Sequence, residues 1–237
     1  MPSASFLTLV VDKENSGGRT ALLLGATGLV GRHCLSLLLS GDRYDTVRTV
    51  GRRRLDQENP RLDQVVLDLD EMESIADRFA VDDVFCCLGT TIRTAGSPEA
   101  FRKVDVEYPV TAARLGADAG ADQFLVVSAL GADPDSRIFY NRIKGEMESK
   151  LRRLPLQALW VLRPALLLGD RDETRLGEQV AESVLRPLSP LLVGRLRRYR
   201  PVAARAVASA MVALAAQEGT GGTIESNEIE AIAASGE

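Results

Sequence analysis

The chain has 237 residues, 45% of them hydrophobic and 26% charged, with a formal net charge of −4, the balance of a soluble globular protein of one domain or one domain plus a small lobe. That charge offers no general attraction for nucleic acid or an anionic membrane surface, and no apolar run approaches the roughly 18 residues needed for membrane insertion. Three cysteines (Cys34, Cys86 and Cys87) form neither a metal spacing nor a disulfide framework, and the single histidine, His33, leaves His-based metal sites and Ser-His-Asp catalysis without material. A reducing, cytoplasmic setting is therefore expected. Residues 1–18 lack the basic region of a signal peptide and are expected to form a flexible extension.

Residues 19–25, RTALLLG, read as a buried strand ending in glycine, and 29–39, LVGRHCLSLLL, follow with helical spacing as far as Ser40-Gly41-Asp42. Apolar runs at 46–50, 64–67, 83–87, 123–127 and 157–162 read as further strands. Helical patterns lie between most of them, notably over 98–119 and 136–151. Near-continuous apolar strands alternating with helices predict a doubly wound α/β fold, a parallel sheet covered on both faces. Residues 19–237 read as a single domain. Its last part, 165–237, carries helical patterns at 176–185, 203–217 and 228–234 and a short strand at 224–226. This part is expected to form a small substrate lobe over the carboxyl edge of the sheet, where open α/β sheets bind ligands.

The turn after the first strand spaces Gly25, Gly28 and Gly31 as G-x-x-G-x-x-G, between a strand and a helix. In that context the glycines permit a tight turn, close approach of backbone to a pyrophosphate, and close helix–strand packing. Gly25, Ala26, Thr27, Gly28, Leu29, Val30 and Gly31 are therefore the expected cradle of a dinucleotide, with the helix amino terminus facing its phosphates. The second strand runs into Gly51-Arg52-Arg53-Arg54, with no acid before Asp56. An acid there would hold the free ribose of NADH. Arg52 or Arg53 instead matches a 2′-phosphate, so NADP(H) is the expected cofactor.

The third strand ends in VVLDLDE, placing Asp68 and Leu69 at the sheet edge; Asp68 suits either an adenine amino group or the cap of a following helix. The CLGTT turn brings Leu88, Gly89 and Thr90 to the same edge, where their backbone suits passage along the cofactor. In FYNRIKGE, Tyr140 and Lys144 stand four apart, which stacks them on one helical face. Arginine supplies 25 of the 29 cationic residues, so a solvated face would more often have carried arginine at 144. Arg171 and Arg175 lie near the predicted substrate mouth and suit an anionic group or mutual ion pairing with neighbouring acids. The RLRRYR run at 195–200 reads as a solvated basic face.

The set GATGLVG, VGRR, FCCLGTT, VVSALGAD, YNRIKGEME and RPALLLGDR resembles the atypical short-chain dehydrogenase/reductases, and within them the Tat-interacting oxidoreductase-like subgroup. The likeness runs in order from about residue 19 to about residue 215. It implies that Ser128, Tyr140 and Lys144 carry the chemistry, that Tyr140 and Lys144 also touch the cofactor, and that Pro164 passes the nicotinamide carboxamide. A phenol ionises near pH 10 in water; a lysine ammonium beside it favours the phenolate, so Tyr140 can exchange a proton while hydride moves. Cys86-Cys87-Leu88-Gly89 stands where ordinary members carry Asn-Asn-Ala-Gly. The resemblance implies a small carbonyl-type substrate and, by analogy, a homodimer through helices over 98–119 and 136–151. It also implies an alternative: an NADPH-binding regulator with little turnover, acting through a protein partner.

Overall fold

The computed structural model describes residues 18–168, 198–217 and 219–235. Among these residues one sheet contains β1 (Thr20–Leu24), β2 (Thr46–Gly51), β3 (Leu62–Val66), β4 (Asp83–Cys86), β5 (Gln123–Val127), β6 (Ala158–Arg163) and β9 (Gly221–Glu225). Its order is β3-β2-β1-β4-β5-β6-β9 and every neighbouring pair is parallel. A separate parallel pair, β7 (Leu167–Leu168) with β8 (Val202–Ala203), lies beyond the carboxyl end of β6. The helices are α1 (Leu29–Ser40), α2 (Ile92–Ala95), α3 (Pro98–Arg102), α4 (Tyr108–Asp118), α5 (Phe139–Leu151), α6 (Ala204–Ala215) and α7 (Ser226–Ser235), with a 3₁₀ helix over Leu69–Phe79.

The near-continuous apolar strands have the physical consequence expected of them. Side chains of β1 alternate between two cores. Ala21 and Leu23 share one with Leu35 and Leu38 of α1 and Met211 of α6, whereas Leu22 and Leu24 share the other with Met72, Phe101 and Met147. All four β1 side chains are fully buried, and each leucine among them contributes on the order of 1.5–3 kcal/mol. The doubly wound α/β architecture is thus a direct result of strands that are apolar on both faces.

Two expectations change on folding. The helix expected over 98–119 is interrupted by a π-helical turn, Lys103–Glu107, between α3 and α4. Pro109 supplies the reason: it has no N–H to donate to the carbonyl of residue 105. The chain adopts the wider turn, in which Tyr108 N–H bonds to Lys103 O, and Asp105 ends up buried. The second change concerns 165–237. Its described parts supply the seventh strand and two helices of the main body, because Val207, Met211 and Leu214 of α6 form an apolar face that shares a core with α1. Residues 1–17, the helical pattern at 176–185, and Arg171 and Arg175 lie outside the described residues. No helix among the described residues is long and apolar enough to cross a membrane.

Candidate functional site

Strand order reverses between β1 and β4, which opens a crevice outside their carboxyl ends. The glycine turn occupies it. Gly25 has φ +81° and a side chain there would stand 2.6 Å from the Cys87 carbonyl oxygen, so both its conformation and its surroundings require glycine. A Cβ on Gly31 would lie 2.0 Å from the Gly25 carbonyl oxygen, which is the close helix–turn packing expected of the third glycine. Gly28 N–H donates to Gly25 O at 2.9 Å and stands at the N-cap of α1 without offering a side-chain cap. The first turn of α1 therefore keeps its N–H groups for another acceptor.

From this turn the cleft runs in two directions. Toward β2 and β3 it forms a cavity of about 230 Å³, floored by Ala26, Thr27 and Gly28 and walled by Arg52, Arg53 and Leu69. Arg53 Nη2 reaches Thr27 Oγ1 at 3.5 Å, so its guanidinium leans across the turn. Asp68 takes the second of its two readings: its carboxylate accepts from Asp70 N at 3.1 Å and caps the 3₁₀ helix.

Toward β5 and α5 a cavity of about 450 Å³ shares Thr27, Gly28 and Arg53 with the first and adds Leu29, Val30, Ser128, Tyr140 and Lys144. Leu88, Gly89 and Thr90 of the CLGTT turn border both cavities. Ser128 and Tyr140 also line a third, of about 460 Å³, together with Pro164, Leu130, Leu166 and Tyr199. Shared walls join the three into one cleft, which the expected site residues line except Gly31 and Asp68, neither of which borders any of the three cavities.

The electrostatics around Tyr140 and Lys144 rest on groups the motifs did not reveal. Lys144 is buried and its Nζ lies 2.7 Å from Asp105 Oδ1, in the π-helical turn. Burial is the largest influence and would lower the lysine's pKa, but the Asp105 carboxylate, together with Tyr140 and Cys86, outweighs it and the net direction is up. The other oxygen, Asp105 Oδ2, accepts from Thr90 N at 2.9 Å and so ties the CLGTT turn to the same carboxylate. Ser128 Oγ donates to the fully buried Glu148 Oε1 at 2.6 Å. Glu148 also accepts from Arg163 Nε at 2.9 Å, from Arg163 Nη2 at 2.6 Å and from Arg152 Nη2 at 2.8 Å. Tyr140 is 38% exposed, with its ring 6.0 Å from that of Phe101. Burial pushes the Cys86 thiol up to about 12, which removes it as a nucleophile.

A glycine cradle that any Cβ would fill, an uncapped helix start and flanking guanidiniums together fit a nicotinamide dinucleotide. The protein-family model described as NAD(P)H-binding matches residues 25–218. The chain belongs to the NAD(P)H-binding family. Within it, the chain is 38% identical over 167 residues to Protein HTATIP2 of Rattus norvegicus, covering 69% of each chain. It is 29% identical over 207 residues to Protein FMP52, mitochondrial, of Debaryomyces hansenii, covering 86% of this chain and 90% of the yeast protein. Among solved structures, UDP-glucose 4-epimerase of Thermotoga maritima matches with a TM-score of 0.63 at 16% identity, over 87% of this chain and 76% of the epimerase. MoeE5 in complex with UDP-glucose and NAD matches at 0.63 and 17% identity, over 92% and 81%. These structural neighbours share the fold of this NAD(P)H-binding protein. The HTATIP2 relative bears out the resemblance to atypical short-chain dehydrogenase/reductases of the Tat-interacting subgroup.

Proposed function

We propose that the protein is an NADP(H)-dependent oxidoreductase that reduces a small carbonyl compound, with Tyr140 as its general acid. One observation carries this reading: Arg52 and Arg53, the glycine turn, and Ser128, Tyr140 and Lys144 follow along a single cleft in the order of a dinucleotide's own parts. The two guanidiniums support the phosphorylated cofactor, since paired N–H donors suit a 2′-phosphate and no acid ends β2. The cofactor would supply the hydride. Tyr140, part-exposed on α5, would give a proton to the substrate oxygen. Lys144, one turn further on, would hold the nicotinamide ribose through its ammonium and favour the phenolate left behind. Ser128 would orient the substrate oxygen.

A second reading, an NADPH-binding regulator with little turnover, is favoured by the Ser128 geometry. Its single hydroxyl proton goes to Glu148, so Ser128 offers the cleft a lone pair and must turn before it can donate to a carbonyl. Both readings are tested by following NADPH oxidation with a panel of aldehydes and ketones. Turnover that disappears in Tyr140→Phe supports the enzyme; NADPH binding with no turnover of any panel member supports the regulator. A protein that binds neither NADPH nor NADH would overturn both.

A further inference from the structure

Lys144 and Asp105 are an unusual pair to find at the floor of a cleft that receives an anionic ligand. Both side chains are almost fully removed from water, at 4% and 1% exposure. They lie against the CLGTT turn, where a Cβ on Gly89 would stand 3.6 Å from Asp105 Oδ1 and 3.9 Å from Lys144 Nζ. They come from separate elements, the π-helical turn and α5, brought together across the core.

An ammonium in such a place has two outcomes. Without a counter-ion it sheds its proton, because burial disfavours the charged form; buried lysines can lose about 3–5 pH units in this way. With a carboxylate at 2.7 Å it stays charged. The other titratable groups acting on Lys144 are Tyr140 on its own helix and the Cys86 thiol at the end of β4. Among the described residues Asp105 is the carboxylate in contact with the Lys144 ammonium, and it supplies the compensating charge. Glu148, one turn further along α5, is engaged with Ser128, Arg152 and Arg163.

We propose that Asp105 is a positioning residue: it is the buried counter-ion that keeps Lys144 an ammonium in the cofactor cleft, cofactor present or absent. The carboxylate acts through the lysine and, by accepting from Thr90 N, fixes the CLGTT turn over it. The cost is that the pair is neutral overall, so it adds hydrogen-bond donors for a ribose without adding net attraction for phosphate. This inference rests on the reading that the cleft takes NADP(H).

The test uses the full chain. NADPH is titrated calorimetrically into the wild type and Asp105→Asn from about pH 5 to about pH 9, a span that brackets the titration of an uncompensated buried lysine. The ratio of the variant's Kd to that of the wild type should rise at least tenfold across this range. In Asp105→Asn with Lys144→Met the ratio should be flat. Parallel curves for Asp105→Asn and the wild type would overturn the proposal. The chain has only four lysines (Lys13, Lys103, Lys144 and Lys150), so a ¹³C-lysine NMR titration of the unmodified protein is a second, ligand-free measurement. Lys144 should remain an ammonium beyond the ordinary lysine value of about 10.4, and a midpoint below it would overturn the proposal even if Asp105→Asn fails to fold. A wild type that does not bind NADPH while Lys144 stays charged would sink the cofactor reading and leave the counter-ion standing.

Discussion

Glu148 offers the sharpest stability test, because it joins Ser128 to the interior by interactions that can be enumerated. It is fully buried and accepts four hydrogen bonds: one from Ser128, two from Arg163 and one from Arg152. Glu148→Ala removes them all. Breaking a buried ion pair by deleting one partner costs about 3–5 kcal/mol, mostly from the charge left behind. Here that charge keeps some company. Arg163 retains Glu225 at 3.2 Å and the Ala132 carbonyl at 3.2 Å, and the Arg152 side chain is 45% exposed. The expected cost is therefore at the low end, about 3 kcal/mol at neutral pH. The pH dependence has a definite sign. Burial would raise the Glu148 pKa, but the bonds from Arg163, Ser128 and Arg152 outweigh it and the carboxyl is held below its ordinary value. A depressed folded value contributes stability that is complete above the unfolded pKa, about 4.3, and is lost as pH falls through the folded one. Urea unfolding of wild type and Glu148→Gln, at neutral pH and at about pH 3.5, should show a gap that narrows on acidification. A pH-independent gap, or a cost of Glu148→Ala below about 1 kcal/mol, would refute the reasoning.

Three further outcomes are expected. Arg53→Ala should erase most of an at least tenfold preference for NADPH over NADH, about 1.4 kcal/mol, as read by calorimetry with both cofactors; equal affinities in the parent would remove the basis of the phosphate reading. Gly31→Ala must displace α1 from the Gly25 carbonyl, since its Cβ would lie 2.0 Å from that oxygen; the cost should be about 1–3 kcal/mol in unfolding and should appear in NADPH affinity as well. Tyr140→Phe should retain cofactor binding while turnover of any verified substrate falls by roughly 10²–10⁴, and a fully active variant would transfer the proton-donor role elsewhere.

The sheet and the glycine turn were legible because their signals are local. An apolar run such as 123–127 becomes β5 with those same bounds, and the glycine spacing imposes the turn wherever a strand precedes it. The charge partners were not legible in this way. Asp105 and Lys144 are 39 positions apart, and Ser128 after β5, Glu148 in α5 and Arg163 in β6 come from separate segments, so no window of periodicity joins them. Two signals were nonetheless present. Pro109 stands four residues after Asp105, which forbids an unbroken α-helix there. Glu148 continues the face of Tyr140 and Lys144 by one more turn. Gly145 in the KGE block has an equally non-local cause: its Cβ would lie 2.2 Å from the Asp133 carbonyl carbon, so α5 can seat against that loop only through glycine.

The same face of α5 sets two buried charges beside a part-exposed tyrosine. Tyr140, Lys144 and Glu148 rise along it one turn apart, and the latter two meet an opposite charge from another element. Lys144 and Glu148 are therefore each compensated within the protein, which keeps them charged although they are buried. On the proposed chemistry, Tyr140, the part-exposed side chain of this face, is then the one that gives a proton to the substrate. Ser128 is held by Glu148 and Lys144 by Asp105, so loss of either carboxylate should blur that division of labour, the first through the orientation of the serine and the second through the charge of the lysine. The two effects are separable by experiment, since one is read in substrate turnover and the other in cofactor binding.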